Sequence, residues 1–261
     1  METNKENNVL SDSREFEAHE VDSYDAQWLR LTDFIEYNPG SRHRRRIISQ
    51  LLKPYQNEKL SVIDAGCGLG FTVLEISKSM KFSEITGVDF SRVAIEGAKR
   101  KFPEFKWQQV DLLSETANLN ADILVCTEVI EHVENYRILL NNLVNILQPG
   151  GLLLLTTQSG KVHETEVQVG HVRHFKIDEM IYEFEQKGLD VIHQQLWGWP
   201  GYVCLKYLIN LNPSQAIEKF GNGEYNAFAK VLNNIVYFLT KWLSLPNTKK
   251  GSQIVLLARK K

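Results

Sequence analysis

The sequence predicts a doubly wound α/β fold: a seven-stranded, mostly parallel sheet with an antiparallel edge strand and a helical insertion before the last strand. Three observations predict it. Short apolar runs alternate with segments of helical period, as in repeated strand–helix units. Runs such as Leu152-Leu-Leu-Leu155 are apolar throughout, which suits strands covered on both faces. A glycine-rich turn follows the first run and opens a helix. At 261 residues the chain hides roughly three quarters of the surface it would expose unfolded, enough for a sizeable core.

Residues 1–40 read as an acidic arm, since residues 1–36 hold ten Asp or Glu against three Lys or Arg. Residues 41–261 read as one domain. Ser41 can cap a helix that runs to Lys53, with Ile47, Ile48, Leu51 and Leu52 at helical spacing and Pro54 to end it. Leu60 to Asp64 is the first strand, Phe71 to Met80 a helix, Glu84 to Asp89 the second strand and Ser91 to Lys101 a helix. Phe105 to Val110 and Ala121 to Cys126 are the third and fourth strands. Tyr136 to Leu147 is a helix stopped by Pro149-Gly150-Gly151, and Leu152 to Thr156 is the fifth strand. A helix from Asp178 to Lys187 precedes strands at Asp190 to Leu196 and Gln253 to Ala258. Two apolar segments of helical period, Gly201 to Leu211 and Tyr225 to Leu243, form an insertion at about 201–245.

Composition narrows the function. A net charge of −2 with 24% charged residues argues against nucleic acid as the main partner. Cys67, Cys126 and Cys204 are sparse and form no CxxC pair, which suits a reducing cytoplasm. The polar N-terminus lacks the apolar core of a signal peptide, and no stretch is apolar enough to span a bilayer. These features predict a soluble cytoplasmic protein without a transmembrane segment.

The chemistry begins at Asp64-Ala-Gly66-Cys-Gly68-Leu-Gly70. Glycine permits positive φ and lets backbone amides approach a ligand, and the following helix N-terminus favours an anionic group. A dinucleotide fingerprint would need glycine at Phe71, so the pattern is DxGxGxG instead. Asp89 closes the second strand, where a carboxylate can accept both hydroxyls of a ribose. Asp111 closes the third, within reach of an adenine amino group.

Val62 to Gly70, Gly87-Val-Asp89, Val110-Asp111 and Leu147-Gln-Pro-Gly-Gly151 resemble, in order and spacing, the motifs of class I S-adenosylmethionine-dependent methyltransferases, over roughly residues 45–196. The resemblance implies a Rossmann-like fold and S-adenosyl-L-methionine as cofactor. It places Gly66, Gly68 and Gly70 around the methionine part, Asp89 on the ribose and Asp111 beside the adenine, with Asp64, Phe90, Leu112 and Thr127 completing the cofactor site. It also folds the Arg42-His43-Arg44-Arg45-Arg46 segment over the cofactor, although a solvated basic face explains that cluster equally.

After the fourth strand come Glu128, Glu131 and His132, which a helical turn would bring to one face. His171 follows in a loop-like segment. Two carboxylates and two imidazoles can hold Mg²⁺ or another divalent ion, which would activate an acceptor hydroxyl. The Glu-x-x-Glu-His pattern with a later His resembles ubiquinone-biosynthesis O-methyltransferases and small-RNA 3′-terminal 2′-O-methyltransferases, and the resemblance makes Glu128, Glu131, His132 and His171 metal ligands. The chain departs from the RNA enzymes in reading His174-Phe-Lys-Ile-Asp where they carry Phe-Glu-Trp-Thr. Without a metal, His132 or His171 suits general-base work at neutral pH, with Glu128 in support, and metal-independent relatives also carry Glu-His here.

The leading expectation is therefore methylation of a hydroxyl on a small molecule such as a phenol, sugar or secondary metabolite. N-methylation of an amine, small-RNA methylation and a non-enzymatic cofactor-binding regulatory subunit are the alternatives. The apolar insertion fits a pocket lid, a homodimer interface or a membrane-surface contact. Trp197 is expected to pack, while Trp199 and Tyr202 are split between packing and stacking on substrate.

Overall fold

Leu152 to Leu155 show why the sheet is covered on both sides. In a computed structural model describing residue 28 and residues 32–114, 118–220, 224–245 and 248–261, Leu153 and Leu155 pack into one core and Leu152 and Leu154 into another. Alternate residues of a strand point to opposite faces, so an unbroken leucine run requires a layer of helices on each. Each buried leucine contributes about 1.5–3 kcal/mol relative to an exposed one.

The strands are β1 (Asn57–Ala65), β2 (Phe82–Asp89), β3 (Lys106–Gln109), β4 (Ala121–Thr127), β5 (Leu147–Gln158), β6 (Leu189–Trp197) and β7 (Gln253–Lys260). They form one sheet in the order β3-β2-β1-β4-β5-β7-β6. All pairs are parallel except β5–β7 and β6–β7, so β7 is the inverted strand and β6 lies outermost. The strand order reverses between β1 and β4, and ligands of open α/β sheets bind at the carboxyl ends of such strands. β5 begins at Leu147, earlier than expected, because the Pro149–Gly151 turn is absorbed into the strand with Gly150 at φ 77°.

Helices α1 (Thr32–Tyr37), α2 (Pro39–Leu52), α3 (Phe71–Ser79) and α4 (Arg92–Lys101) come first. α5 (Tyr136–Ile146), α6 (Glu164–Val167) and α7 (Ile177–Gln186) follow, then α8 (Gly201–Ile209), α9 (Pro213–Phe220) and α10 (Ala227–Leu243). α2 and α3 cover one face through Ile48, Leu52 and Ile76, and α5 and α7 the other through Leu139, Leu140, Leu143, Met180 and Phe184. Most of the expected acidic arm lies outside the described residues, and its described end is helical as α1.

The insertion is fastened to the domain by a polar joint. His43 of α2 is fully buried, hydrogen-bonds Thr240 of α10 through Nε2 at 2.9 Å, and stacks on Tyr237. Trp197 packs on the same imidazole and on Tyr202, in keeping with its expected packing role. The three cysteines are free, and no helix among the described residues is long and apolar enough to cross a membrane.

Candidate cofactor and acceptor sites

At the end of β1 the chain turns through Gly66, Gly68 and Gly70 with φ of 74°, 51° and 81°. Side chains rarely adopt such angles. At Gly70 space forbids one as well, because an added Cβ would stand 2.3 Å from Trp107 Cη2. Two successive amides, of Gly66 and Cys67, donate to Val88 O at 2.8 and 3.0 Å and tie the loop to β2.

Two carboxyls lie beneath this loop. Asp89 is buried at the end of β2, where Oδ2 accepts from Gly68 N and Oδ1 from Ser91 N, both at 2.9 Å. Asp64 is buried at the end of β1, and neither oxygen has a hydrogen-bond partner among the described residues. Burial, reinforced by Asp89, pushes its carboxyl up to about 8. A buried carboxyl without donors is costly, so this one marks a place for a cationic donor. The other expected cofactor residues ring the same sheet edge. Phe90 follows β2 and is partly exposed, Asp111 is exposed and accepts from Leu113 N at 2.8 Å, Leu112 is buried, and half-buried Thr127 ends β4.

Past β4 the backbone departs from the expected helical turn. Glu128 takes φ 55°, in the left-handed region, and only Ile130–His132 form a short 3-10 turn. Glu128 therefore does not share a helical face with Glu131 and His132. Its carboxylate accepts from Thr156 Oγ1 (3.1 Å), Gln253 Nε2 (2.9 Å) and Gln158 Nε2, and pairs with Arg44 at 3.3 Å.

Glu131, His132 and His171 do converge, with one potential ligand atom from each lying within 4.8 Å of the others. Glu131 is fully buried; Oε2 accepts from Thr157 Oγ1 at 2.8 Å, while Oε1 has no partner among the described residues. Burial and then Glu128 push its carboxyl well above the usual range. Burial also pushes His132 down, and takes His171 down to about 2 with help from neighbouring imidazoles and cations. The site so far holds neutral imidazoles beside a carboxyl that a nearby cation would ionise.

The sequence reading missed His174 and Glu166. His171 Nδ1 and His174 Nε2 are hydrogen-bonded at 3.0 Å, and His174 Nε2 lies 3.6 Å from Glu166 Oε2. Glu166 is in turn clamped by Lys206 Nζ at 2.6 Å and by the His163 amide. This group also meets the distance condition for a metal, through Glu166, His171 and His174. His174 was visible three residues after His171, but Glu166 and Lys206 lie on separate elements, and only the fold joins them.

Several of these groups border a cavity of about 590 Å³ beyond the ends of β4 and β5. Arg44, Glu128, Gln158, Glu166, His171 and Lys206 supply its polar wall. Leu205 and Ile209 of α8 and Leu232 and Val236 of α10 supply the apolar one, with Tyr202 also lining it. Two other arginines of α2 serve as fasteners: Arg45 donates to the carbonyls of Ile35 and Glu36, and Arg42 lies over the Tyr237 ring.

A family described as a methyltransferase domain matches residues 40–194. The chain is similar to a trans-aconitate 2-methyltransferase of Azoarcus sp. (strain BH72), 26% identical over 132 residues, which cover 50% of this chain and 49% of the relative. A ubiquinone biosynthesis O-methyltransferase of Rickettsia canadensis is 28% identical over 152 residues, 56% of this chain and 63% of the relative. The chain thus spans less than two thirds of the length of these curated relatives. Among solved structures, the N-methyltransferase NodS from Bradyrhizobium japonicum, in complex with S-adenosyl-L-homocysteine, superposes with a TM-score of 0.58 at 15% identity. That match covers 92% of this chain and 97% of the other, and it is a likeness of fold.

Proposed function

Because this chain belongs to the methyltransferase-domain family, we propose that it binds S-adenosylmethionine at the glycine loop and transfers the methyl group to a hydroxyl of a small molecule in the adjoining cavity. Asp64 supports the cofactor half. The ammonium of the cofactor's methionine part would supply the donors and charge that this buried carboxyl lacks among the described residues. The glycines leave the backbone bare for that part of the ligand, and Asp89, at the end of β2, would accept from the ribose hydroxyls. Asp111, Phe90 and Leu112, beyond β2 and β3, would border the adenine side, and Thr127, at the end of β4, the side facing the acceptor.

The observation that carries the acceptor half is the imidazole cluster beside the cavity, in which His171 lines the wall, meets His132 edge-on at 4.7 Å and bonds His174 at 3.0 Å. An amine acceptor needs little more than positioning, whereas a hydroxyl must lose its proton. Bound S-adenosylmethionine would supply the methyl group to the acceptor oxygen and leave as S-adenosylhomocysteine. Without a bound ion, the hydroxyl proton would pass to the His171 nitrogen not bonded to His174; with one, that nitrogen would be a ligand and the proton would leave through the cavity to water. Glu131, His132 and His171 would hold a divalent ion such as Mg²⁺, which would supply Lewis-acid activation of the acceptor oxygen. Burial lowers both imidazoles, His171 to about 2, which makes them suitable neutral ligands and favours that role. Glu128, saturated by Arg44 and its amide partners, orders the cavity wall. The small-RNA alternative finds little support, because the cavity cations Arg44 and Lys206 are each paired with a carboxylate.

Calorimetry should show S-adenosylmethionine and S-adenosylhomocysteine binding, and a chelator should cut turnover of hydroxyl acceptors until Mg²⁺ or Mn²⁺ is restored. Binding of NAD in place of S-adenosylmethionine would overturn the cofactor reading. Turnover that ignores the chelator but is lost in His171→Ala assigns that histidine as a metal-free base.

A further inference from the structure

We infer that the outer faces of α8 and α10 dock on an anionic phospholipid membrane. The inference is independent of the methyl-transfer reading. On α10 the apolar residues Phe228, Val231, Ile235, Phe238, Leu239 and Trp242 are all exposed, and their spacing of three and four residues lines them along one side of the helix. Trp242 is 83% exposed and Phe228 74%. Tyr207 and Leu208 are exposed on α8, whose first turn meets the last turn of α10, where Gly201 abuts Leu243. Scattered apolar side chains are ordinary on a surface, but a helix-long stripe marks an interaction site.

Charge identifies the partner. Residues 225–261 contain no Asp or Glu. Lys241, Lys249 and Lys250 are exposed around the end of the stripe that carries Trp242, Leu243 and Leu245. At the opposite end Lys230 is paired with Asp33, so the cationic excess belongs to the C-terminal end. An apolar stripe rich in aromatic residues, bordered by lysines, suits a helix lying in the headgroup plane, with tryptophan at the interface and lysines on anionic lipid. Since α10 is not long and apolar enough to cross a bilayer, it rests on the surface. Its inner face is already committed to α2 through Thr240 and His43.

The test is flotation of the purified full chain with vesicles of phosphatidylcholine and phosphatidylglycerol, against vesicles of phosphatidylcholine alone. Binding should appear on the anionic vesicles and weaken as salt is raised. Trp242→Asp should lower partitioning at least about tenfold. Lys249→Gln with Lys250→Gln should lower it about fivefold per lysine. All three positions are exposed, so an unchanged melting temperature separates lost docking from lost folding. No binding to anionic vesicles, or binding indifferent to Trp242→Asp, overturns the inference. So does a dimer that Trp242→Asp dissociates, in a chain that ignores vesicles, which would assign the face to a second copy.

Discussion

Asp64 is the residue on which ligand, proton and fold meet. Its carboxyl is raised to about 8, so in the free protein it is largely neutral at pH 7. A raised folded-state value means that the group favours the fold most below the ordinary carboxyl range, and the contribution is lost as pH rises through about 8. A cofactor carrying an ammonium favours the ionised form and releases the proton on binding. Affinity for S-adenosylmethionine should therefore tighten with rising pH, by up to about tenfold per unit, until it levels near pH 8. Calorimetry across that range should show the slope in the native chain and a flat, weaker profile in Asp64→Asn. Asp89→Ala should weaken cofactor binding by roughly 1.5–3 kcal/mol, because Gly68 N and Ser91 N lose their acceptor along with the ribose hydroxyls. On the acceptor side His174 touches His171 and is 1% exposed in its side chain, so it fixes which His171 nitrogen faces the cavity. His174→Ala should lower kcat by about 10–100-fold with cofactor Kd unchanged. An equal loss of cofactor affinity would make His174 merely structural.

At the scale of elements, the joint between α2 and α10 is a pH-sensitive contact. His43 is pushed down to about 3, first by burial and then by Arg46 and Arg42. A depressed histidine gives stability that is present above its unfolded value near 6.5 and is lost as pH falls toward the folded value. Melting temperature should therefore drop on acidification through that window, and His43→Leu should remove part of the drop. Thr240→Val leaves His43 Nε2 without its partner and should cost about 1–3 kcal/mol. The longer helices were legible from their apolar periods, although α2 starts at Pro39, before the expected cap Ser41, with Asn38 accepting from Ser41 N. Ser91 caps α4 by accepting from Ala94 N, and Asn226 caps α10 by accepting from Ala229 N. α1, α6 and α9 escaped the reading because they are too short for a periodic signal.

Across the whole molecule, the insertion leaves and re-enters the sheet at one point, since Trp197 and Gln253 are cross-strand partners. Residues 198–252 can thus be replaced by a two-residue hairpin turn without changing the register of β6 and β7. Such a variant should keep S-adenosylmethionine binding, because the glycine loop and Asp89 lie at the other strands. It should lose acceptor turnover, because Tyr202, Lys206 and the apolar wall of the cavity go with the deletion. Retained turnover with any hydroxyl acceptor would show that the cavity lies elsewhere.

The strands, the mostly parallel sheet and the glycine loop were legible in the sequence because their determinants are local: unbroken apolar runs, three glycines in a turn, an acid at a strand end. Each acts within a few residues, so spacing along the chain carries the information. The acceptor side did not follow in the same way. Glu128, Glu131 and His132 are adjacent in sequence, yet one left-handed residue sends Glu128 to Arg44 and Gln253, while Glu131 and His132 meet His171. Glu166 and Lys206 joined the site from α6 and α8. Those partnerships join residues far apart in the chain, and burial fixes them by making unpaired charge and unbonded donors expensive, a condition that exists only once the fold has closed around them.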